Sequence, residues 1–472
     1  MLVTTAPERI RELEHRVGCF FDRNPDGTIH QKAFAGQSYD RTVHRTLEEH
    51  RAIELLPTPS GDGVAGALLV DMRRGTFMAV HAKATLLATG TGPTMYKMMA
   101  LSAEKTTDGL AMAYRVGARV VDMEMVQFHP TGLLVGDSGM SGTVLEEGLR
   151  GVGGHWFNGR MERYMAQYDP ARLERSTRDV VSRSSYLEII AGRSSPHGGV
   201  YIDVSHLGVS FVEQHFPGIV ERCRDVGFDL AREAVEVSPT AHYLMGGVKI
   251  DITCRTNLDG LFAAGEDSAG VHGANRLGGN GVACSTVFGG IAADRMAAYI
   301  EGKRVPAVTE AQMQAVIARI MAPFDRPGGE DVYILRDDLK ALMWEKAGLV
   351  RNAGDLESAQ KALAVIRERA HHVRISGSPR LNVEWQEWLN LDSLLTVSEM
   401  IVASALHRKE SRGSHYRSDY PDPDNHYLQN ISLQRDGEGM RLWLEPVQFT
   451  RLQPSAPAPP ALEQAYVAQE GE

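Results

Sequence analysis

Short apolar runs bounded by turns mark the first part of this chain, and apolar residues at helical spacing mark the last part. Gly63 to Asp71, Thr76 to Val80 and Ala84 to Ala88 have strand length, with the turn Arg73-Arg74-Gly75 between the first two, and they predict strands. The third runs into Thr89-Gly90-Thr91-Gly92, and ligands of α/β sheets bind at the carboxyl ends of strands. Further strands are expected at Val200 to Val204 and Leu261 to Gly265. Helices are expected at Ala6 to Val17, Thr107 to Ala118, Asp179 to Ala191 and Val282 to Ile300. From Phe128 to Arg150 the glycine-rich pattern reads as loop. The mixed pattern between Phe157 and Pro239 predicts a separate α+β lobe inserted between sheet-forming parts. Beyond Pro306, Leu356, Leu363, Ile366 and Val373, then Leu391, Leu394, Leu395, Ile401 and Leu406, predict a helical region joined through Pro323 to Gly329. Pro454 to Glu472 is rich in proline and alanine and is expected to be disordered.

Composition narrows the function classes. With 472 residues, 43% hydrophobic and 23% charged, the chain reads as an ordinary multidomain globular protein. A net charge of −10 without a basic cluster argues against a nucleic-acid partner. Cys19, Cys223, Cys254 and Cys284 are far apart and form no CxxC, so neither a zinc site nor an iron–sulfur cluster is expected within the chain, and a reducing compartment fits. The charged start MLVTTAPERIRELEHR lacks the apolar stretch of a signal peptide, and no run of about 18 apolar residues is found, so any membrane association is expected through partners.

The segment His272-Gly-Ala-Asn-Arg276-Leu-Gly278-Gly279-Asn280-Gly281 carries the densest chemistry. Glycines at a helix start let a ligand reach the backbone, and the free N–H groups there favour an anion or a carbonyl oxygen. A guanidinium beside them suits a carboxylate held by two parallel hydrogen bonds. The alternative is a glycine loop that only packs on a strand. Three more clusters stand out. In Gln127-Phe128-His129-Pro130-Thr131-Gly132, His129 is a candidate ligand group or a plain core histidine. Glu146-Glu147-Gly148-Leu149-Arg150-Gly151 with Arg178-Asp179 is a proton relay or a surface ion-pair network. In Pro239-Thr240-Ala241-His242-Tyr243-Leu244-Met245-Gly246-Gly247, His242 donates to a ligand or caps a turn. No Ser-His-Asp order, HExxH or Walker loop is present. Histidines and arginines beside glycine turns suit redox chemistry on a small dicarboxylate.

Together QFHPTG, EEGLRG, RDVVSR, PTAHYLMGG, LFAAGE, HGANRLGGN and RKESRGSHYRSDYP closely resemble, in order, the flavoprotein subunit of succinate dehydrogenase and fumarate reductase, a family that includes L-aspartate oxidase. The likeness runs from Ala6 to Pro421. It implies an α/β FAD-binding, Rossmann-like domain, N-terminally truncated, with an inserted α+β capping domain and a C-terminal helical domain. The corresponding bounds are 1–128 and 243–305 for the split FAD-binding domain, 129–242 for the cap, 306–421 for the helical domain and 422–472 for a C-terminal extension. It implies that His242 and Arg276 grip one substrate carboxylate, that His129 meets the other, and that Arg178 moves the proton with Glu147 and Arg150 as its relay. It further implies flavin contacts from Thr89, Gly90, Asp108, Glu266, Gly281 and Val282, and no metal. The expected partners are a succinate or fumarate substrate, an iron–sulfur subunit and, through it, a membrane anchor at the cytoplasmic face of the inner membrane.

The departures are specific. The chain shows no GxGxxG between a strand and a helix, the family's pyrophosphate turn; Gly61-Asp62-Gly63-Val64-Ala65-Gly66 has the glycine spacing but runs into the strand expected at Gly63 to Asp71. A second gap follows Arg41-Thr42-Val43-His44-Arg45-Thr46, and Glu146 stands where the family has threonine, adding a negative charge where a dicarboxylate would lie. Three readings follow: a succinate/fumarate flavoprotein subunit, an L-aspartate oxidase needing no iron–sulfur partner, and a truncated non-catalytic paralogue that holds FAD poorly.

Overall fold

The first predicted strands form an antiparallel meander in which β1 (His50–Pro57), β2 (Val64–Asp71) and β3 (Thr76–His81) pair in that order. The computed structural model describes residues 50–449 apart from 103 and 137, together with Thr5, Glu8, Arg9 and Glu12. Of the helix expected at Ala6 to Val17, Glu8, Arg9 and Glu12 are helical and the rest lies outside the described residues, as does Pro454 to Glu472. β1 was not legible in the sequence because Glu54 interrupts its apolar run. Glu54 is buried there in ion pairs with Arg115 (2.9 Å) and Arg319 (2.8 Å), and a buried charge is tolerated when it is paired.

β4 (Thr85–Leu87) pairs in parallel with β11 (Leu261–Ala263), which puts the carboxyl ends of both strands on one side. α1 (Asp108–Arg115) follows β4. β5 (Val120–Val121), β10 (Gly247–Lys249), β12 (Ser268–Ala269), β13 (Gln429–Asp436) and β14 (Gly439–Pro446) form one sheet in the order β12-β10-β5-β13-β14. Residues 422–449 therefore reach back to pair with β5.

A second sheet, in the order β6-β9-β8-β7, joins β6 (Val126–Leu133), β9 (Val235–Leu244), β8 (Val200–Asp203) and β7 (His155–Phe157). With α2 (Arg178–Ile190) it encloses a core of its own around Leu133, Trp156, Val181, Val200, Ile202 and Val237. β6 and β9 link this lobe to the main core, which holds Val126, Phe128, Ala241 and Leu244.

α3 (Asn280–Ile300) leads to a helical region of α4 (Glu310–Met321), α5 (Val332–Lys346), α6 (Ala353–Ala370) and α7 (Val383–His407). The leucines read at helical spacing, Leu356, Leu363, Leu391, Leu394 and Leu395, are buried in the main core. Among the described residues α7 is the one helix long and apolar enough to cross a bilayer, which corrects the expectation that no such stretch exists; 78% of its most apolar window is buried within the molecule, as befits a core helix.

Candidate active site

Two strands passing between the cores build the site. β6 is buried along its length, against the loop reading of this stretch. Its pairing with β9 slips between Gln127 and Phe128 and again between His129 and Gly132. Pro130 stands in the second slip, where its missing N–H breaks no ladder bond. Gly132 completes it, because a Cβ there would come within 2.7 Å of Thr240 Cβ. Proline and glycine thus mark bulges inside a strand, and bulges re-aim side chains.

His129, on β6, places Nε2 at 2.8 Å from Glu147 Oε2. The same oxygen accepts Arg178 Nε at 2.8 Å, and Arg150 bonds the other oxygen. Arg178 opens α2, while Glu147 and Arg150 flank the start of a short helix, Gly148–Gly151. Glu146, where the resemblance expects threonine, is half-buried at the entry to that helix. His242, on β9, has its ring 5.3 Å from that of His129. Arg276 is buried, with its guanidinium 4.2 Å over the Tyr243 ring. The network is interior, which sets aside the surface ion-pair reading.

Burial depresses every basic group here. Both imidazoles are driven well below the usual histidine range, first by burial. Arg178, Arg150 and Arg276 then add to the effect on His129, and His129, Arg276 and Arg178 to that on His242. Neutral His129 donates its Nε2–H to Glu147 and accepts the Thr131 N–H on Nδ1 at 3.3 Å. Burial lowers Arg178 to about 10 and, helped by the charge of Arg178, Arg150 to about 9 and Arg276 to about 10. All three stay cationic at neutral pH, and Arg178 and Arg150 share the directly bonded carboxylate of Glu147. Arg276 Nε and His242 Nδ1 are buried without a hydrogen-bond partner. Such groups are costly unless something fills their capacity, and a substrate carboxylate has the charge and acceptors to do so.

The cofactor side lies at the carboxyl ends of the parallel pair. The Thr89–Gly90 turn follows β4, and Gly265-Glu266 follows β11. Asp267 ties the two, accepting the Thr89 hydroxyl at 2.9 Å and the Gly90 N–H at 3.0 Å. α3 starts at Gly279 in a left-handed conformation (φ 80°), which glycine adopts at no steric cost, and no side chain caps its first turn. The N–H groups around Gly281 and Val282 are thus open to an acceptor. Burial raises Glu266 to about 8, so at neutral pH it is a carboxylic acid able to donate. An uncapped helix start, two glycine turns and a neutral donor at one strand end fit a flat, acceptor-rich ring. The Asp108 carboxylate is taken by Arg51 (2.9 Å) and the Thr106 hydroxyl (3.1 Å), outside the arginine–histidine network.

Four residues without an assigned role in the sequence reading help build the site. Gln127 bonds Arg178, Asn275 and the Arg276 carbonyl; Asp179 bonds Asn275; Tyr243 underlies Arg276. Gln127 and His129 stand two residues apart, which would have marked a shared strand face had the segment been read as strand.

Parallel strands with glycine turns, an inserted lobe and a buried arginine–histidine cluster between them define a flavin-dependent oxidoreductase. Residues 43–282 match the family described as FAD binding domain, and residues 336–460 match that described as fumarate reductase flavoprotein C-term. One CoM/CoB fumarate reductase chain, from Methanothermobacter marburgensis, is 38% identical over 461 residues, covering 93% of this chain and 83% of that protein. The L-aspartate oxidase of Synechocystis is 32% identical over 488 residues, covering 95% and 85%. The FrdA chain of a mutant Escherichia coli quinol fumarate reductase superposes with a TM-score of 0.88 at 33% identity, covering 96% of this chain and 84% of that one. The chain belongs to the fumarate reductase/succinate dehydrogenase flavoprotein family, and FAD is its cofactor.

Proposed function

We propose that this chain is the flavoprotein subunit of an enzyme interconverting succinate and fumarate, exchanging electrons with a separate iron–sulfur subunit through which it reaches a membrane anchor. The observation that carries this reading is the convergence of His129, Arg178, His242 and Arg276 on one buried site, with Arg276 Nε and His242 Nδ1 unpartnered. Arg276 and His242 hold one carboxylate, and His129 orients the other. Bound FAD supplies or takes up the hydride. Arg178 gives a proton to the neighbouring carbon in fumarate reduction and takes it back in succinate oxidation. An arginine serves as an acid only when burial lowers its pKa and a neighbour restores its proton; Glu147 bonds both Arg178 and Arg150, so it can pass one from the other. Thr89, Gly90, Glu266, Gly281 and Val282 hold the flavin, with Asp108 supporting from the start of α1.

The test is turnover by the FAD-loaded chain: fumarate reduction with a reduced one-electron dye and succinate oxidation with an oxidised one. L-Aspartate oxidation is the second reading, favoured by the likeness to the Synechocystis enzyme. Turnover of L-aspartate with release of peroxide, and none of succinate or fumarate, would replace the first reading with the second. A chain that takes up no FAD would support the non-catalytic alternative.

A further inference from the structure

We infer that Asp179 and Asn275 form a latch that holds the inserted lobe closed over the site and, through Gln127, sets the spacing between Arg178 and Arg276. The inference rests on the roles proposed above for those two arginines. Asp179 lies in the first turn of α2, on the lobe; Asn275 lies on the loop before α3, on the cofactor side. Asn275 Nδ2 donates to Asp179 Oδ1 at 2.6 Å, a short hydrogen bond to a charged acceptor.

Gln127 continues the connection inward. It is fully buried, and its Nε2 gives one proton to Asn275 Oδ1 at 2.8 Å and the other to the Arg276 carbonyl at 2.7 Å. Its Oε1 accepts Arg178 Nη1 at 3.1 Å. Both amide protons and the oxygen are engaged, so the amide has one orientation and acts as a spacer of set length between the two arginine-bearing segments. A second contact lies one helical turn on, where the Arg183 guanidinium stacks 4.5 Å over the Tyr416 ring. The receiving loop is braced from behind, since Ser414 N–H donates to the Ala274 carbonyl at 2.9 Å.

The helix does not need the latch to form. A carboxylate in a first turn is already favoured by the helix dipole, so the Asn275 bond is available for docking. The lobe has its own core and is joined to the main core by β6 and β9, so a few polar bonds across the gap can bias its closure. Apparent affinity falls in proportion to the closed fraction, which makes the latch a determinant of substrate binding. Asp179 and Asn275 are positioning residues, because they act through Arg178 and Arg276.

The test compares the FAD-loaded wild type with N275A, N275D and the reversed pair D179N/N275D. N275A removes both the donor to Asp179 and the acceptor of Gln127 Nε2, and it raises the KM for fumarate on the order of tenfold while changing kcat less than about threefold. N275D sets two carboxylates face to face and has the larger effect. D179N/N275D restores one donor and one acceptor with the direction reversed, and recovers most of the loss. Hydrogen exchange without substrate reads closure independently: residues 178–190 exchange faster in N275A, while residues 353–407 do not change. Unchanged exchange and KM in N275A, or a reversed pair no better than N275D, would overturn the latch. Absence of fumarate turnover in the wild type would overturn the functional reading instead, and the exchange comparison would still decide the latch.

Discussion

Arg178→Gln separates proton transfer from cofactor binding. The substitution keeps a hydrogen-bonding side chain but removes the cation that donates to Glu147 at 2.8 Å and to Gln127 at 3.1 Å. A positioned general acid contributes about 10²–10⁴ in rate, or roughly 3–5.5 kcal/mol of barrier at about 1.4 kcal/mol per tenfold. Burial already lowers Arg178 to about 10, which makes it a better acid than a free guanidinium while leaving it protonated at neutral pH. Its charge also depresses His129, Arg150 and Arg276, so its loss lets all three rise. The variant should therefore hold substrate carboxylates at least as well and fail in chemistry. The assay is dye-coupled fumarate reduction beside flavin absorbance and equilibrium binding of fumarate: kcat falls at least a hundredfold, with flavin content and affinity retained. A kcat within threefold of the wild type would refute Arg178 as the proton donor. In the wild type the donor must be protonated, so fumarate reduction should hold through neutral pH and fall as pH rises through about 9–10, where Arg150 and then Arg178 titrate.

Arg276→Ala removes the donor proposed for one substrate carboxylate and should raise the KM for fumarate roughly ten- to a hundredfold by steady-state kinetics; an unchanged KM would place the substrate elsewhere. Glu188 is held down to about 2, chiefly by Arg193 at 2.6 Å, with Asn158 and Tyr168 also bonding it. Its folded pKa lies below its unfolded value, so its contribution is complete above pH 4.5 and is lost as pH falls toward 2. Thermal melts should show Glu188→Gln less stable than the wild type at pH 6, with a gap that narrows toward pH 2.5; a gap independent of pH would refute the linkage. Leu394→Ala in α7 empties a buried position and should cost about 2–5 kcal/mol in urea unfolding, and a cost under 1 kcal/mol would argue against this packing.

The spacing of Leu356 and Leu363 marked α6, because a helix that buries one side shows it at its own period. Dense apolar residues marked α7 and β2, which are buried on nearly every side, and the short run at Thr76 marked β3. The candidate site residues stood out as motifs, since arginine, histidine and glutamate beside glycine turns carry their chemistry in their types. β1 and β6 were not legible. Glu54 lies buried in β1 only because Arg115 and Arg319 come from distant helices to pair with it, and proline and glycine sit in β6 only because its pairing with β9 slips there.

The sequence by itself determined which groups could bind a carboxylate, move a proton and hold a ring, because those capacities belong to side chains and to local backbone. Only the tertiary structure decided that Glu147 joins His129 to two arginines, that Arg276 is left with an unpartnered buried nitrogen, and that Gln127 and Asn275 bridge the lobe to the cofactor side. Distance and burial set the pKa of a guanidinium and the cost of an unmet donor, and both depend on segments more than a hundred residues apart meeting at one place, as Gln127 and Asn275 do.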